Sequence, residues 1–214
     1  MEEALAVHVP DGPALEARFG PVASPKGGVV ICHPHPLYGG DMDNPVVIRA
    51  AEVAQAAGYA TLRFNFRGAG GSQGTHDKGR GEQEDVTAAI KALASQLPAG
   101  RRVGALGYSF GAAMAARATR PGMPEAPLGL IAPPLGMYDF DFLQGASPPA
   151  GPGTLLLVAG TADSYCPVEA LHRLAALTSA EERIIEGADH FFFGKLYPLG
   201  EAIGAWLAGL PPAP

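Results

Sequence analysis

Gly107-Tyr108-Ser109-Phe110-Gly111 is the stretch whose reading decides the fold. Before it, Arg102-Val103-Gly104-Ala105-Leu106 is a short run of mostly small and apolar residues, suited to a strand buried on both faces. After it, residues 112–118 are dominated by alanine, the best helix former, and Pro121-Gly122 should end that helix. A serine presented on so sharp a strand-to-helix turn takes strained backbone angles, so its neighbours two residues away must be small. Gly107 and Gly111 meet that need. The five-residue pattern arises by chance in a chain with 29 glycines. The strand before it and the helix after it give it weight.

Strands and helices alternate on either side of this unit. Residues 4–9 and 14–19 read as a hairpin joined by Pro10-Asp11-Gly12-Pro13, which carries strong turn chemistry. Residues 28–32 form a continuous apolar strand. Asn44 then offers an N-cap with Pro45 at the first helical position, for a helix through 57 closed by Gly58. Residues 60–66 read as the next strand, followed by a glycine-rich loop over 67–81. An acidic first turn, Glu82-Gln83-Glu84-Asp85, opens a helix to about 97. Beyond the serine, strands are expected at 128–132, 154–158 and 183–186, and a helix at 167–177. A last helix carries Trp206 to near 210, and residues 211–214 read as a frayed tail. The alternation predicts an α/β fold with a mostly parallel sheet of about eight strands, helices on both faces, and one domain over 1–214. Right-handed crossovers bring the strand C-terminal ends, and any site, to one edge. The interval between Tyr138 and Thr154 is too short for a lid domain, so a minimal cap or none is expected.

Composition excludes several classes. The 214 residues are 47% hydrophobic and 17% charged, with a formal net charge of −6. No clustered Lys and Arg offer nucleic acid an electrostatic footprint, and no apolar run is long enough for a membrane span. The acidic start Met1-Glu2-Glu3 lacks the features of a signal peptide, so a cytoplasmic protein is expected. Two cysteines, Cys32 and Cys166, make no disulfide framework and read as packing residues. The oligomeric state is not legible.

A serine hydroxyl becomes a useful nucleophile when a base takes its proton and an acid orients that base. Asp163, in Gly160-Thr161-Ala162-Asp163, and His190, in Gly187-Ala188-Asp189-His190, both follow strands, as Ser109 does. They stand in the order Ser, acid, His that the α/β-hydrolase arrangement uses. Asp139 and Asp141 are reserve acids. Asp189 reads as a cap for the segment beginning at Phe191, and His8, His76 and His172 as surface or satisfied side chains. An oxyanion needs two backbone donors. Phe110 supplies one, and the loop His33-Pro34-His35-Pro36-Leu37-Tyr38-Gly39-Gly40 should supply the other. Pro34 and Pro36 have no N–H, which leaves His35, Leu37 and Tyr38 as candidates.

With these segments together, the chain resembles a small, cap-poor serine α/β-hydrolase. It is similar to a bacterial group related to dienelactone hydrolases and acyl-peptidase catalytic domains. The resemblance rests on the His33–Gly40 loop, Asn65-Phe66-Arg67-Gly68, the Ser109 motif, Gly160-Thr161-Ala162-Asp163 and Asp189-His190, which span nearly the whole chain in the expected order. It implies a Ser109, Asp163, His190 triad and makes His35 the first choice for the second oxyanion donor. Dienelactone hydrolases use a cysteine nucleophile. A serine here favours ordinary ester cleavage, so a carboxylesterase acting on small or short-chain acyl groups is expected. Thioesterase and peptidase activities, and a catalytically silent binding module, remain open.

Other motifs are weaker. His33, His35, Asp41 and Asp43 suggest a metal site, but alternating prolines should hold that loop extended and point successive side chains apart, so no metal is expected. The run from Gly68 fails the dinucleotide pattern at Gln73 and leads into more loop, so no cofactor is expected. Arg67 should pair with Glu82 or Asp85. Leu37, Tyr38, Tyr138 and Phe191 are the candidate substrate contacts, since acyl pockets are largely apolar.

Overall fold

A computed structural model describes residues 1–119, 126–143 and 154–211. The helix end expected at Pro121-Gly122 and the tail beyond 211 lie outside the described residues. One eight-stranded sheet runs in the order β1-β2-β4-β3-β5-β6-β7-β8. Its strands are β1 (Glu3–His8), β2 (Ala14–Gly20), β3 (Gly28–Cys32), β4 (Ala60–Phe64), β5 (Val103–Tyr108), β6 (Leu128–Ile131), β7 (Leu155–Gly160) and β8 (Glu181–Ile185). β1 and β2 pair antiparallel, as do β2 and β4, and all other pairs are parallel. The expected fold class is therefore observed.

Helices α1 (Pro45–Ala56) and α5 (Leu196–Gly209) cover one face. α2 (Gly81–Ser95), α3 (Phe110–Thr119) and α4 (Val168–Thr178) cover the other. Alternation along each strand feeds both layers: Leu156 and Val158 pack with α1 and α5 residues such as Val47, Ile203 and Trp206, while Leu157 and Ala159 pack with Met114 and Leu171. Both cores are apolar, and burying each such side chain stabilises the fold by about 1.5–3 kcal/mol. Among the described residues no helix is long and apolar enough to cross a membrane.

Several boundaries shift by one or two residues from expectation, those of β4, α2 and β8 among them. β4 ends at Phe64, because Phe66 N–H donates to the ring of His33 rather than to a strand carbonyl. α2 begins at Gly81. β8 starts at Glu181, where parallel pairing with Leu156 begins and where Arg183 pairs with Glu181 and His172 Nδ1 lies 2.7 Å from Glu182 on this edge strand. The Asn44 cap stands as read, its side chain accepting from Val46 N–H at 3.0 Å.

Candidate active site

β5 delivers Ser109 at the edge where the parallel strands end. The turn is as sharp as the sequence implied: Ser109 has φ of 54°, a left-handed conformation that a non-glycine residue seldom adopts. The flanking glycines are required by contact. A Cβ on Gly107 would stand 2.3 Å from Gly111 O, and one on Gly111 would stand 2.3 Å from Cys32 O. The elbow is thus clamped against its own helix and against the end of β3.

Asp163 follows β7 and His190 follows β8. The two loops are stitched together by Ala162 N–H to Ala188 O (2.9 Å) and Gly187 N–H to Thr161 Oγ1 (2.8 Å). His190 Nε2 stands 3.0 Å from Ser109 Oγ, and its Nδ1 stands 2.9 Å from Asp163 Oδ2. Because a carboxylate only accepts, Nδ1 carries the proton and Nε2 is left to accept from the serine hydroxyl. Asp163 Oδ1 accepts from the N–H groups of Tyr165 (2.8 Å) and Cys166 (3.0 Å), which fixes its orientation. Both Asp163 and His190 are buried, whereas Ser109 is half-buried and reachable.

The reserve acids sit elsewhere, with Asp139 Oδ1 accepting from Asp141 N–H. Asp189 accepts from the N–H groups of Phe191 (3.1 Å) and Phe193 (3.2 Å), but it caps a turn, since α5 starts only at Leu196. His172 lies beside Glu182 at 2.7 Å. His76 lies 2.8 Å from the buried Glu82, at ion-pair distance without hydrogen-bond alignment.

The loop after β3 is not extended. Residues Pro36–Tyr38 form a single 3-10 turn whose cap is His35, with Leu37 N–H donating to His35 Nδ1 at 3.2 Å. Tyr38 N–H and Gly40 N–H both donate to His35 O. Leu37 and Tyr38 have therefore spent their N–H groups locally, and of the three candidates His35 alone keeps a donor without a partner among the described residues. Phe110 N–H, at the first turn of α3, has no intrahelical acceptor either. The His35 and Phe110 rings meet at 4.8 Å, so the two residues are neighbours.

The four residues that suggested a metal site, and were read as holding none, all have partners within the protein, Asp41 Oδ1 accepting from Asp43 N–H and His35 capping its turn. His33 is fully buried, with Nδ1 donating to Pro34 O (2.6 Å) and Nε2 accepting from Phe66 N–H (2.9 Å). Burial pushes its imidazole down to about 4. His35 is held below the ordinary imidazole value, first by burial and then by neighbouring His76. Asp43 pairs with Arg63. Among the described residues no three His, Cys, Asp or Glu side chains are grouped to hold a metal ion. Arg67 binds Asp85 through Nε and Nη2 and also reaches Glu84, whereas Glu82 turns inward to accept from Asp77 and Gly79 N–H. Burial pushes the Cys32 and Cys166 thiols up, away from reactive thiolates.

A cavity of about 420 Å³ opens over Ser109. Tyr38, Tyr138 and Phe191 line it, together with Phe110, Pro134, Met137 and Tyr165. Leu37, expected at the pocket, stands outside its wall and is 68% exposed. In a 3-10 turn successive side chains point about 120° apart, so bringing Tyr38 to the pocket sends Leu37 into solvent. Sequence reading also missed Tyr108. Its buried hydroxyl donates to His190 O at 2.9 Å and so ties the elbow to the histidine loop. The variable position inside the serine motif carried no local signal of that role.

The X-Pro dipeptidyl-peptidase (S15 family) model matches residues 23–143. An uncharacterized protein of Rickettsia prowazekii is 38% identical over 92% of this chain and 85% of its own length. A solved serine hydrolase homologue from Coxiella burnetii is 33% identical, with a TM-score of 0.83 over 95% of this chain and 96% of that one. A serine hydrolase without lid from Xanthomonas campestris is 31% identical, with a TM-score of 0.85 over 100% of this chain and 97% of that one. The chain belongs to the X-Pro dipeptidyl-peptidase (S15) family and is a serine hydrolase of the α/β-hydrolase fold, with no lid among the described residues.

Proposed function

We propose that the protein is a carboxylesterase for small, uncharged acyl esters. One observation carries this reading: the hydrogen-bonded line Asp163–His190–Ser109 opens onto a pocket whose lining, among the described residues, includes no Asp, Glu, Lys or Arg. A dipeptidyl-peptidase must hold the ammonium group of its substrate's N-terminus. A buried cation without a partner is costly, and the pocket lining offers it no carboxylate. A neutral ester asks for no such partner.

In this mechanism Ser109 Oγ attacks the ester carbonyl carbon as His190 Nε2 takes the hydroxyl proton. Asp163 holds the resulting imidazolium. The carbonyl oxygen, now an oxyanion, receives the N–H groups of Phe110 and His35. Collapse expels the alcohol, which takes the proton from His190. Water then attacks the acyl-enzyme by the same route in reverse, restoring Ser109.

The test compares short-chain oxygen esters, matched thioesters and X-Pro anilides. Oxygen esters should be turned over fastest, and Ser109→Ala should lower kcat by a factor on the order of 10⁴ or more. Fluorophosphonate should label wild-type Ser109 and fail to label a His190→Ala variant. Faster cleavage of X-Pro anilides than of esters would overturn the ester assignment. Normal turnover by Ser109→Ala would overturn the mechanism.

A further inference from the structure

The ring contacts around Ser109 fall into two unconnected groups. One surrounds the oxyanion side, where His35, Tyr38, His76 and Tyr138 gather about Phe110. The other runs outward from the base: Tyr165 meets the His190 ring at 4.7 Å, His190 meets Phe191 at 5.6 Å, and Phe191 meets Phe193 at 5.7 Å. This second group forms a ledge of aromatic rings beside the nitrogen that hands a proton to the departing group.

The ledge is exposed at a cost. Tyr165, Phe191 and Phe193 are 47%, 55% and 77% exposed. Between the two phenylalanines, Phe192 is fully buried, packs against Tyr108, and has φ of 55°. That conformation is an outlier for a bulky residue. Two hydrogen bonds to Asp189 and one from Phe192 N–H to Asp189 O hold the turn. Seating Phe192 inward forces its neighbours outward, so a strained turn keeps two phenylalanines in water next to His190. Strain and apolar exposure at one place, joined to the proton donor, indicate a surface shaped for a ligand.

Resting on the esterase reading above, we infer that the leaving group of the substrate is a flat aromatic alcohol that stacks on Tyr165 and Phe191. The ledge is open, so it touches a ligand on one face only. A planar ring lays its whole face on such a surface, whereas a puckered or linear aliphatic group meets it along an edge. Aromatic pairing adds to area burial and corresponds to roughly 2- to 13-fold in affinity. The acyl group occupies the opposite side, against Phe110 and Tyr138.

The experiment measures kcat/KM for benzyl acetate and cyclohexylmethyl acetate, whose leaving groups match in size and differ in flatness. Wild type should favour the benzyl ester by about 3-fold or more, mostly through KM. Tyr165→Leu and Phe191→Leu keep apolar bulk and should bring the ratio close to one. Tyr165→Phe and Phe191→Tyr keep the rings and should preserve it, which a merely structural role would not do. A wild-type ratio at or below one, or a ratio unmoved by both leucine variants, overturns the ledge assignment and leaves the esterase reading standing. Failure of folded wild type to turn over either ester, or any short-chain ester, overturns the esterase reading and the ledge with it.

Discussion

Acidification should weaken this fold through one identifiable side chain, His33. Its imidazole is fully buried between Pro34 O and Phe66 N–H, and a protonated ring could not accept from Phe66. Burial lowers its pKa from 6.5 to about 4. Below pH 6.5 the unfolded chain takes up a proton that the folded chain refuses. The stabilisation is therefore complete above about 6.5 and is lost as the pH falls towards 4. A tenfold difference in proton affinity is worth about 1.4 kcal/mol, so the loss is about 2 kcal/mol at pH 5 and about 3 kcal/mol below pH 4. Carboxylates titrate in the same range, so the measurement needs a reference that shares them. His33→Gln provides one: its amide oxygen can accept from Phe66 N–H and gains no proton. Urea unfolding of both proteins at pH 8 and pH 5 gives the stability gap between them at each pH. The gap should move by about 2 kcal/mol against the wild type on acidification. A gap constant to within about 0.5 kcal/mol would refute the reasoning, because it would mean that His33 titrates alike in both states.

Three further outcomes follow from contacts already described. Tyr108→Phe removes the buried donor to His190 O and should cost about 1–3 kcal/mol in chemical unfolding, with kcat falling several-fold and KM little changed. A larger change in KM than in kcat would contradict a role in holding the histidine loop. Gly111→Ala drives a Cβ against the carbonyls of Cys32 and His33, so Tm should drop by several degrees and fluorophosphonate labelling of Ser109 should be lost. Retained labelling would show that the elbow can shift without harm. Cys32 and Cys166 are fully buried with thiols pushed up, so maleimide should modify neither in the native protein and both after denaturation. Rapid native labelling, read by intact mass, would contradict that burial.

Much of the architecture was legible because its signals are local. A small-residue strand, a serine between glycines and an alanine-rich helix lie within about twenty consecutive residues, and steric demands at Ser109 explain each of them. Strand ends could be placed from short apolar runs, and right-handed crossovers brought Asp163 and His190 to the edge that carries Ser109. The Asn44-Pro45 helix start was readable for the same reason, since a cap is a contact between residues two apart.

Other features depended on residues distant in sequence. His33 looked like a candidate ligand, and only its contact with Phe66, thirty-three residues on, makes it a buried hydrogen-bonding post. That contact also takes the donor that would have extended β4. The extended loop expected from Pro34 and Pro36 instead closes into a turn, because His35 accepts from three N–H groups that follow it. Leu37 leaves the pocket wall as a result. Tyr108 and Tyr165 had no pattern to mark them, since a hydroxyl reaching across 82 positions or a ring beside another loop's histidine leaves no period in the chain. The sequence by itself determined the mostly parallel sheet, the elbow and which three side chains line up at Ser109, because propensity, sterics and chirality act over short spans. The tertiary structure decided the tautomer of His190, which backbone N–H groups of the His35 loop stay free, the pocket wall and the exposed aromatic ledge, because each is set by which groups long-range packing buries together.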